Sequence, residues 1–220
     1  MPLKAVIFDL DGTLIDSAPD LRTACNKVLA QYGCRSITLE ETMTFVGNGA
    51  AKLMERAFRA TGKVFNNAQI ENLTTEFLEF YEGHEADETR IYDGVVSTLH
   101  QLQNQGIRLA LCTNKPSGPT LNLLKDLNLE GFFEVVVGGD ELEHKKPHPQ
   151  MIFYVLERMQ LSASDVVMVG DSTNDIEAAK QASMPNVAVS YGYRKVRVEE
   201  LGANVVIDCF SELPDVLATL

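Results

Sequence analysis

Positive charge is scarce in this sequence. Its 220 residues hold 19 Lys and Arg against 31 Asp and Glu, a formal charge of −12 at pH 7. Such a balance repels nucleic acid and anionic membrane over most of the surface, so neither is an expected partner, and an anionic small molecule must be attracted locally. Cysteine is sparse too: Cys25, Cys34, Cys112 and Cys209 form no CxxC pair and fall in segments with helix or strand patterning. They read as buried free thiols rather than a disulfide framework, which suits a reducing compartment. Long hydrophobic runs are missing. The segment Met1 to Asp9 has a short apolar stretch, with neither the h-region of a secretory signal nor the length of a membrane span, so the cytoplasm is the expected location. With 45% hydrophobic and 23% charged residues and no repeat or low-complexity tract, the chain suits one ordinary core plus a small second domain.

What is present is a series of short apolar runs. Lys4 to Leu10 contains Ala5, Val6, Ile7 and Phe8 in a row, as a strand buried on both faces of a parallel sheet requires. Similar runs occupy Ile107 to Cys112, Phe133 to Val137, Val166 to Val169, Val187 to Val189 and Val205 to Ile207, with helical patterns between them. This alternation predicts a doubly wound α/β sheet. From about Ser17 to His84 the apolar positions keep helical spacing and no strand is evident. Leu21, Ala24, Cys25, Val28 and Leu29 form one stripe, Ala50, Leu53, Met54, Ala57 and Phe58 a second, and Ile70, Leu73, Phe77, Phe80 and Tyr81 a third. Thr38 with Glu41 carries a capping-box signature. The expected organisation is a core of residues 1–16 and 88–220 with a helical cap, 17–87, inserted after the first strand.

Ligands of an open α/β sheet bind beyond the carboxyl ends of its strands. There this sequence is polar: Asp9, Asp11, Gly12 and Thr13 follow the first strand, Thr113 and Asn114 the second, and Gly170, Asp171, Ser172 and Asp175 the fourth. Lys146 sits in a Lys-Lys-Pro-His-Pro loop after the third. Clustered Asp9, Asp11 and Asp171 repel one another unless a cation neutralises them. Hard oxygen donors and few protein ligands suit Mg²⁺, and no EF-hand loop favours calcium. A carboxylate beside such a cation and Lys146 can attack phosphorus, while Thr113, Lys146 and nearby amides hold the equatorial oxygens. A second carboxyl two residues on, Asp11, can protonate the leaving alkoxide and later activate water. The four histidines share no metal-ligand spacing, and Ser17 and Ser172 lack a partnered His.

Four segments, Asp9-Leu10-Asp11-Gly12-Thr13, Thr113-Asn114, Lys146-Pro147 and Gly170-Asp171-Ser172-Thr173-Asn174-Asp175, resemble the ordered motifs of haloacid dehalogenase superfamily phosphatases. The resemblance spans essentially the whole chain and implies a Rossmann-like core with an inserted α-helical cap. It implies Asp9 as nucleophile, Asp11 as general acid/base, and Mg²⁺ held by the side chains of Asp9 and Asp171 and the backbone carbonyl of Asp11, with Asp175 in support. Thr113, Asn114 and Lys146 would bind phosphate. In the cap, Val46-Gly47-Asn48-Gly49 followed by Lys52-Leu53-Met54-Glu55-Arg56 is similar to the superfamily's phosphoglycolate phosphatases, which implies 2-phosphoglycolate as substrate. Gly47, Asn48 and Gly49 are then candidate ligands of the substrate's far carboxylate, since a turn entering a helix exposes backbone amides. Lys52 and Arg56 read as a solvated face. Two departures stand out: Asp93 where such sequences often have proline, and the basic Arg194-Lys195-Val196-Arg197.

The rival enzyme readings are a sugar-phosphate phosphatase and a phosphohexomutase of the same superfamily; no basic sugar-phosphate clamp follows Gly47 or Gly49. A dehalogenase has no alkoxide to protonate, so Asp11 argues against one. A phospho-acceptor signalling domain lacks a cap, and a catalytically silent phospho-ligand binding protein is expected to have lost Asp9 or Asp11. The expected partner is a small phosphate ester; monomer and homodimer stay open.

Overall fold

The computed structural model describes residues 3–193 and 196–220. Of the basic segment, Arg194 and Lys195 lie outside the described residues. The chain opens with β1 (Ala5–Phe8), β2 (Ile15–Asp16), α1 (Ala18–Gln31), α2 (Leu39–Phe45), α3 (Ala50–Ala60), α4 (Asn67–Tyr81) and β3 (Arg90–Ile91). There follow α5 (Val95–Asn104), β4 (Arg108–Cys112), α6 (Ser117–Asp126), β5 (Val135–Val137), α7 (Gln150–Met159), β6 (Val166–Gly170), α8 (Thr173–Gln181), β7 (Asn186–Val189), β8 (Val205–Ile207) and α9 (Leu213–Leu217).

Six strands form one parallel sheet in the order β5-β4-β1-β6-β7-β8. The alternation of side chains along a strand explains the unbroken apolar run of β1. Val6 and Phe8 enter the core shared with α5 and α9, whereas Ala5 and Ile7 enter the one shared with α7 and α8. Both faces are buried, so no polar position is spared. β1 lies mid-sheet between β4 and β6, and the order reverses there. The C-terminal ends of β1, β4 and β6 therefore flank a single crevice, the switch point at which such sheets bind ligands.

Helices α1 to α4 build a separate apolar cluster from Leu21, Val28, Leu53, Phe58, Leu73 and Phe77, joined by Tyr193 from the other side of the crevice. The capping box of Thr38 and Glu41 is formed, and Asn66 with Gln69 makes a second one at the start of α4. A short antiparallel ribbon, Ile15 with Ile91 and Asp16 with Arg90, joins the two stretches of chain that enter and leave the helices. No strand periodicity announces elements of two residues, and both lie just outside the helical stretch. Asp93 is exposed directly after this ribbon.

The thiols differ in part from expectation. Cys25 and Cys112 are buried and free, but Cys34 is half-buried and Cys209 exposed. Cys209 follows the end of edge strand β8, where only one side of the chain is covered. No helix among the described residues is long and apolar enough to cross a membrane.

Candidate active site

Asp9 is the first residue past β1, and its N–H donates to the Val169 carbonyl at 2.9 Å, continuing the ladder towards β6. The chain then turns sharply: the Leu10 carbonyl accepts from the amides of Thr13, Leu14 and Ile15. Gly12 makes the turn possible. Its φ is +86°, and a Cβ there would stand 2.5 Å from Asp171 Oδ2. Asp171, just beyond β6, is thus brought against the first turn, where it also accepts from the Tyr193 amide at 2.5 Å and Thr13 Oγ1 at 3.5 Å.

Lys146 reaches into the same crevice. Its Nζ donates to Asp175 Oδ1 at 2.6 Å, Asp9 Oδ1 at 2.8 Å and the Cys112 carbonyl at 2.5 Å. All three ammonium donors are used. Asp175 sits in the first turn of α8, its other oxygen accepting from the Ser172 amide and hydroxyl at 3.0 and 2.6 Å. Asp9, Asp171 and Asp175 each offer an oxygen within 4.8 Å of the others'. Burial, and then the Asp175 charge, pushes the Asp9 carboxyl up to about 7 against the opposing pull of Lys146. Burial, Asp175 and Asp9 likewise hold Asp171 well above the usual carboxylate range. Burial opposes the charge on Lys146, but the Asp175 and Asp9 carboxylates outweigh it and raise its pKa. The carboxylates carry more negative charge than one lysine balances, as a site for a hard divalent cation requires.

The Asp11 side chain stands apart from this trio. Its Oδ1 accepts from Ser17 Oγ at 2.5 Å and lies 3.4 Å from Lys115 Nζ. Of the expected metal set, the side chains of Asp9 and Asp171 converge, and only the backbone carbonyl of Asp11 is left to join them. Asp175, expected in support, belongs to the trio itself.

The side chain of Asn114, a residue expected to bind phosphate, is turned to backbone partners. Its Nδ2 donates to the Gly47 and Lys146 carbonyls, both at 2.8 Å, and its Oδ1 accepts from the Lys146 amide at 3.0 Å. A side-chain amide with both ends committed to backbone braces two loops rather than holding a ligand. Asn174 Nδ2 also donates to the Gly47 carbonyl, at 2.8 Å, and Asn48 Nδ2 donates to Asn174 Oδ1 at 3.3 Å. The Gly47-Asn48-Gly49 turn is therefore tied to the strand ends. Arg56 is half-buried rather than solvated: it donates to the Phe45 carbonyl at 2.6 Å and Asn48 Oδ1 at 2.7 Å, bracing that turn from behind. Lys52 is exposed beside Glu55.

A cleft joins these parts. Asp9, Asp11, Thr113 and Lys146 line one end, and Gly47, Gly49, Leu53, Phe77 and Tyr81 the other. Acidic trio, saturated lysine and separate acid at the ends of adjacent strands follow the motif order, and the haloacid dehalogenase-like hydrolase family model matches residues 6–189. The chain belongs to that family. Among relatives, the phosphoglycolate phosphatase of Caulobacter vibrioides is 39% identical over 98% of this chain and 91% of that protein. The phosphoglycolate phosphatase of Rhodospirillum rubrum is 40% identical over 96% and 90%. A crystal structure described as a predicted phosphoglycolate phosphatase from Haemophilus somnus 129pt superposes with a TM-score of 0.92 at 30% identity, covering 97% of each chain.

Two residues of this haloacid dehalogenase-like site, Lys115 and Tyr81, carried no sequence signal of their own. Lys115 is buried, although it only continues Thr113-Asn114 past the strand end, and its backbone amide donates to Thr113 Oγ1 at 3.2 Å. Tyr81, apparent as one more apolar position of α4, accepts from Lys115 Nζ at 2.9 Å. Burial pushes its hydroxyl up to about 12, so it stays a phenol. Tyr193 hydrogen-bonds Asp16 through its hydroxyl, which also accepts from the Ala18 amide at 3.0 Å, pinning the ribbon.

Proposed function

We propose that the protein is a Mg²⁺-dependent phosphomonoester hydrolase whose substrate is 2-phosphoglycolate, acting in the cytoplasm through an aspartyl-phosphate on Asp9. The observation that carries the chemistry is Lys146 Nζ at 2.8 Å from Asp9 Oδ1, with Asp11 standing off in the same cleft. Lys146 orients the nucleophile and offsets the repulsion between Asp9 and an incoming phosphate. Oδ2 of Asp9 attacks phosphorus; the bond from phosphorus to the bridging oxygen breaks, and the leaving alkoxide takes a proton from Asp11. Water then gives a proton to Asp11 and attacks the same phosphorus, releasing inorganic phosphate and restoring the Asp9 carboxylate. Thr113 binds the equatorial oxygens. Ser17 fixes the Asp11 rotamer through the 2.5 Å hydrogen bond.

Mg²⁺ fits the donor set: the side chains of Asp9 and Asp171, with the backbone carbonyl of Asp11, would hold it. Bound there, it supplies charge neutralisation at the phosphoryl oxygens. Asp175 keeps Lys146 and the Ser172 turn in place. Helices of residues 17–87 serve as a cap that excludes water from the crevice, opening through the β2–β3 ribbon. The named relatives and a cleft whose cap side is lined by Leu21, Leu53, Phe77 and Leu78 support this substrate.

The test is phosphate release from 2-phosphoglycolate and a panel of sugar and nucleoside phosphates, with Mg²⁺ and with excess EDTA. Metal-dependent turnover with a large kcat/KM preference for 2-phosphoglycolate is expected. Equal hydrolysis of many esters removes the substrate assignment, and no release from any removes the reaction.

A further inference from the structure

Two lysines are buried in the cleft, and they are satisfied very differently. Each of the three Lys146 donors ends on an acceptor between 2.5 and 2.8 Å away. Lys115, only 7% exposed, donates to the neutral Tyr81 hydroxyl at 2.9 Å and lies at a longer 3.4 Å from Asp11 Oδ1, which already takes the Ser17 hydroxyl. Its Nζ also stands 4.7 Å from the centre of the Tyr81 ring. A buried ammonium is costly unless closely paired and hydrogen-bonded. Among the described residues, Lys115 has one shared carboxylate and a phenol to balance it, and a third donor unaccounted for. The mechanism above leaves it idle.

We propose that Lys115, with the Tyr81 hydroxyl, receives the carboxylate of the substrate's leaving group and thereby selects short phosphorylated hydroxy acids. This rests on the phosphatase reading and adds the residue that recognises the acid. The chemistry fixes where such a carboxylate must lie. Asp11 protonates the bridging oxygen, so that oxygen comes within hydrogen-bonding reach of Asp11. In a phosphorylated 2-hydroxy acid the carboxyl carbon is two covalent bonds from the same oxygen. The carboxylate is thus forced into the neighbourhood of Asp11, where it meets like charge as soon as Asp11 has given up its proton unless a cation intervenes, and the side-chain cation beside Asp11 is Lys115. Tyr81 comes from α4, so the receptor is complete only when that helix covers the crevice. Leu21, Leu53, Phe77 and Leu78 also line the cleft, and their side chains offer no partners for the hydroxyls of a sugar.

The experiment compares 2-phosphoglycolate with ethyl phosphate, which has a two-carbon leaving group without the carboxylate. Steady-state kcat and KM for both, with Mg²⁺, are measured for the wild type, Lys115→Met, Lys115→Arg and Tyr81→Phe. The wild type should prefer 2-phosphoglycolate. In Lys115→Met the ratio of the two kcat/KM values should fall on the order of a hundredfold, mainly through KM for 2-phosphoglycolate. Lys115→Arg should retain part of the preference, and Tyr81→Phe should lower the ratio severalfold. An equal loss on both substrates in Lys115→Met overturns the proposal and makes Lys115 a positioning residue for Asp11. If that variant does not fold, as judged by its thermal transition, an unchanged ratio in Tyr81→Phe overturns it instead. Wild-type enzyme that cleaves both esters equally well contradicts a carboxylate receptor while leaving the phosphatase intact. Release from neither removes the phosphatase reading as well.

Discussion

At the scale of single residues, the account turns on carboxylates that are buried together. Replacing Asp9 by Asn keeps the shape and removes the nucleophile, so kcat should fall by at least about 10³-fold, measured as phosphate release at saturating substrate. The same residue sets a pH dependence. Its folded pKa of about 7 lies above the ordinary 3.8, so between these values the native state holds a proton that the unfolded chain has lost. In EDTA, stability should therefore decline as pH rises from about 4 to 7, the raised Asp171 carboxyl acting in the same direction. Urea unfolding at pH 5 and pH 7.5 reads this directly. Asp9→Asn should flatten the slope, and Mg²⁺ should stabilise the protein more at the higher pH. A stability that rises over this interval contradicts the crowded trio.

Elements bring these residues together, and here the legible and the hidden separate. Asp9, Asp11, Thr113, Lys146 and Asp171 could be picked out because each follows an apolar run, and strands buried on both faces write themselves as uninterrupted hydrophobic segments. Lys115 could not: what marks it is its contact with Tyr81, a partner 34 positions away on helix α4. Asn114 was visible as a polar residue at a strand end, but its task is decided by where the Gly47 and Lys146 carbonyls fall. Asn114→Ala takes the side-chain partner from the buried Lys146 carbonyl and amide, while Gly47 keeps Asn174, and should cost about 1–3 kcal/mol in urea unfolding, with kcat/KM reduced because the Lys146 loop and the Gly47 turn lose a common anchor. Thr38→Ala removes a cap from α2, far from the crevice. It should cost about 1 kcal/mol and leave kcat/KM unchanged.

For the molecule as a whole, two apolar assemblies meet across a crevice whose floor is the sheet's switch point. The parallel sheet and the helical insertion were readable from periodicity, because long elements repeat their pattern. The β2–β3 ribbon was not, since two residues have no period; it becomes apparent only when Ile15 and Ile91 are seen paired. Contacts across the crevice, from Asn114 and Asn174 to Gly47 and from Tyr193 to the amide of Ala18, bind the helices to the sheet. These hydrogen bonds can break and re-form against water, as a joint that must open for substrate exchange requires.

The central claim is that the phosphoryl group passes through Asp9. Mixing enzyme with 2-phosphoglycolate and Mg²⁺, quenching with acid within one turnover and mapping the peptides by mass spectrometry tests it most directly. The expected result is a phosphoryl adduct on the peptide containing Asp9, absent in Asp9→Asn and in the presence of EDTA. An adduct on another residue, or undiminished turnover by Asp9→Asn, contradicts the account.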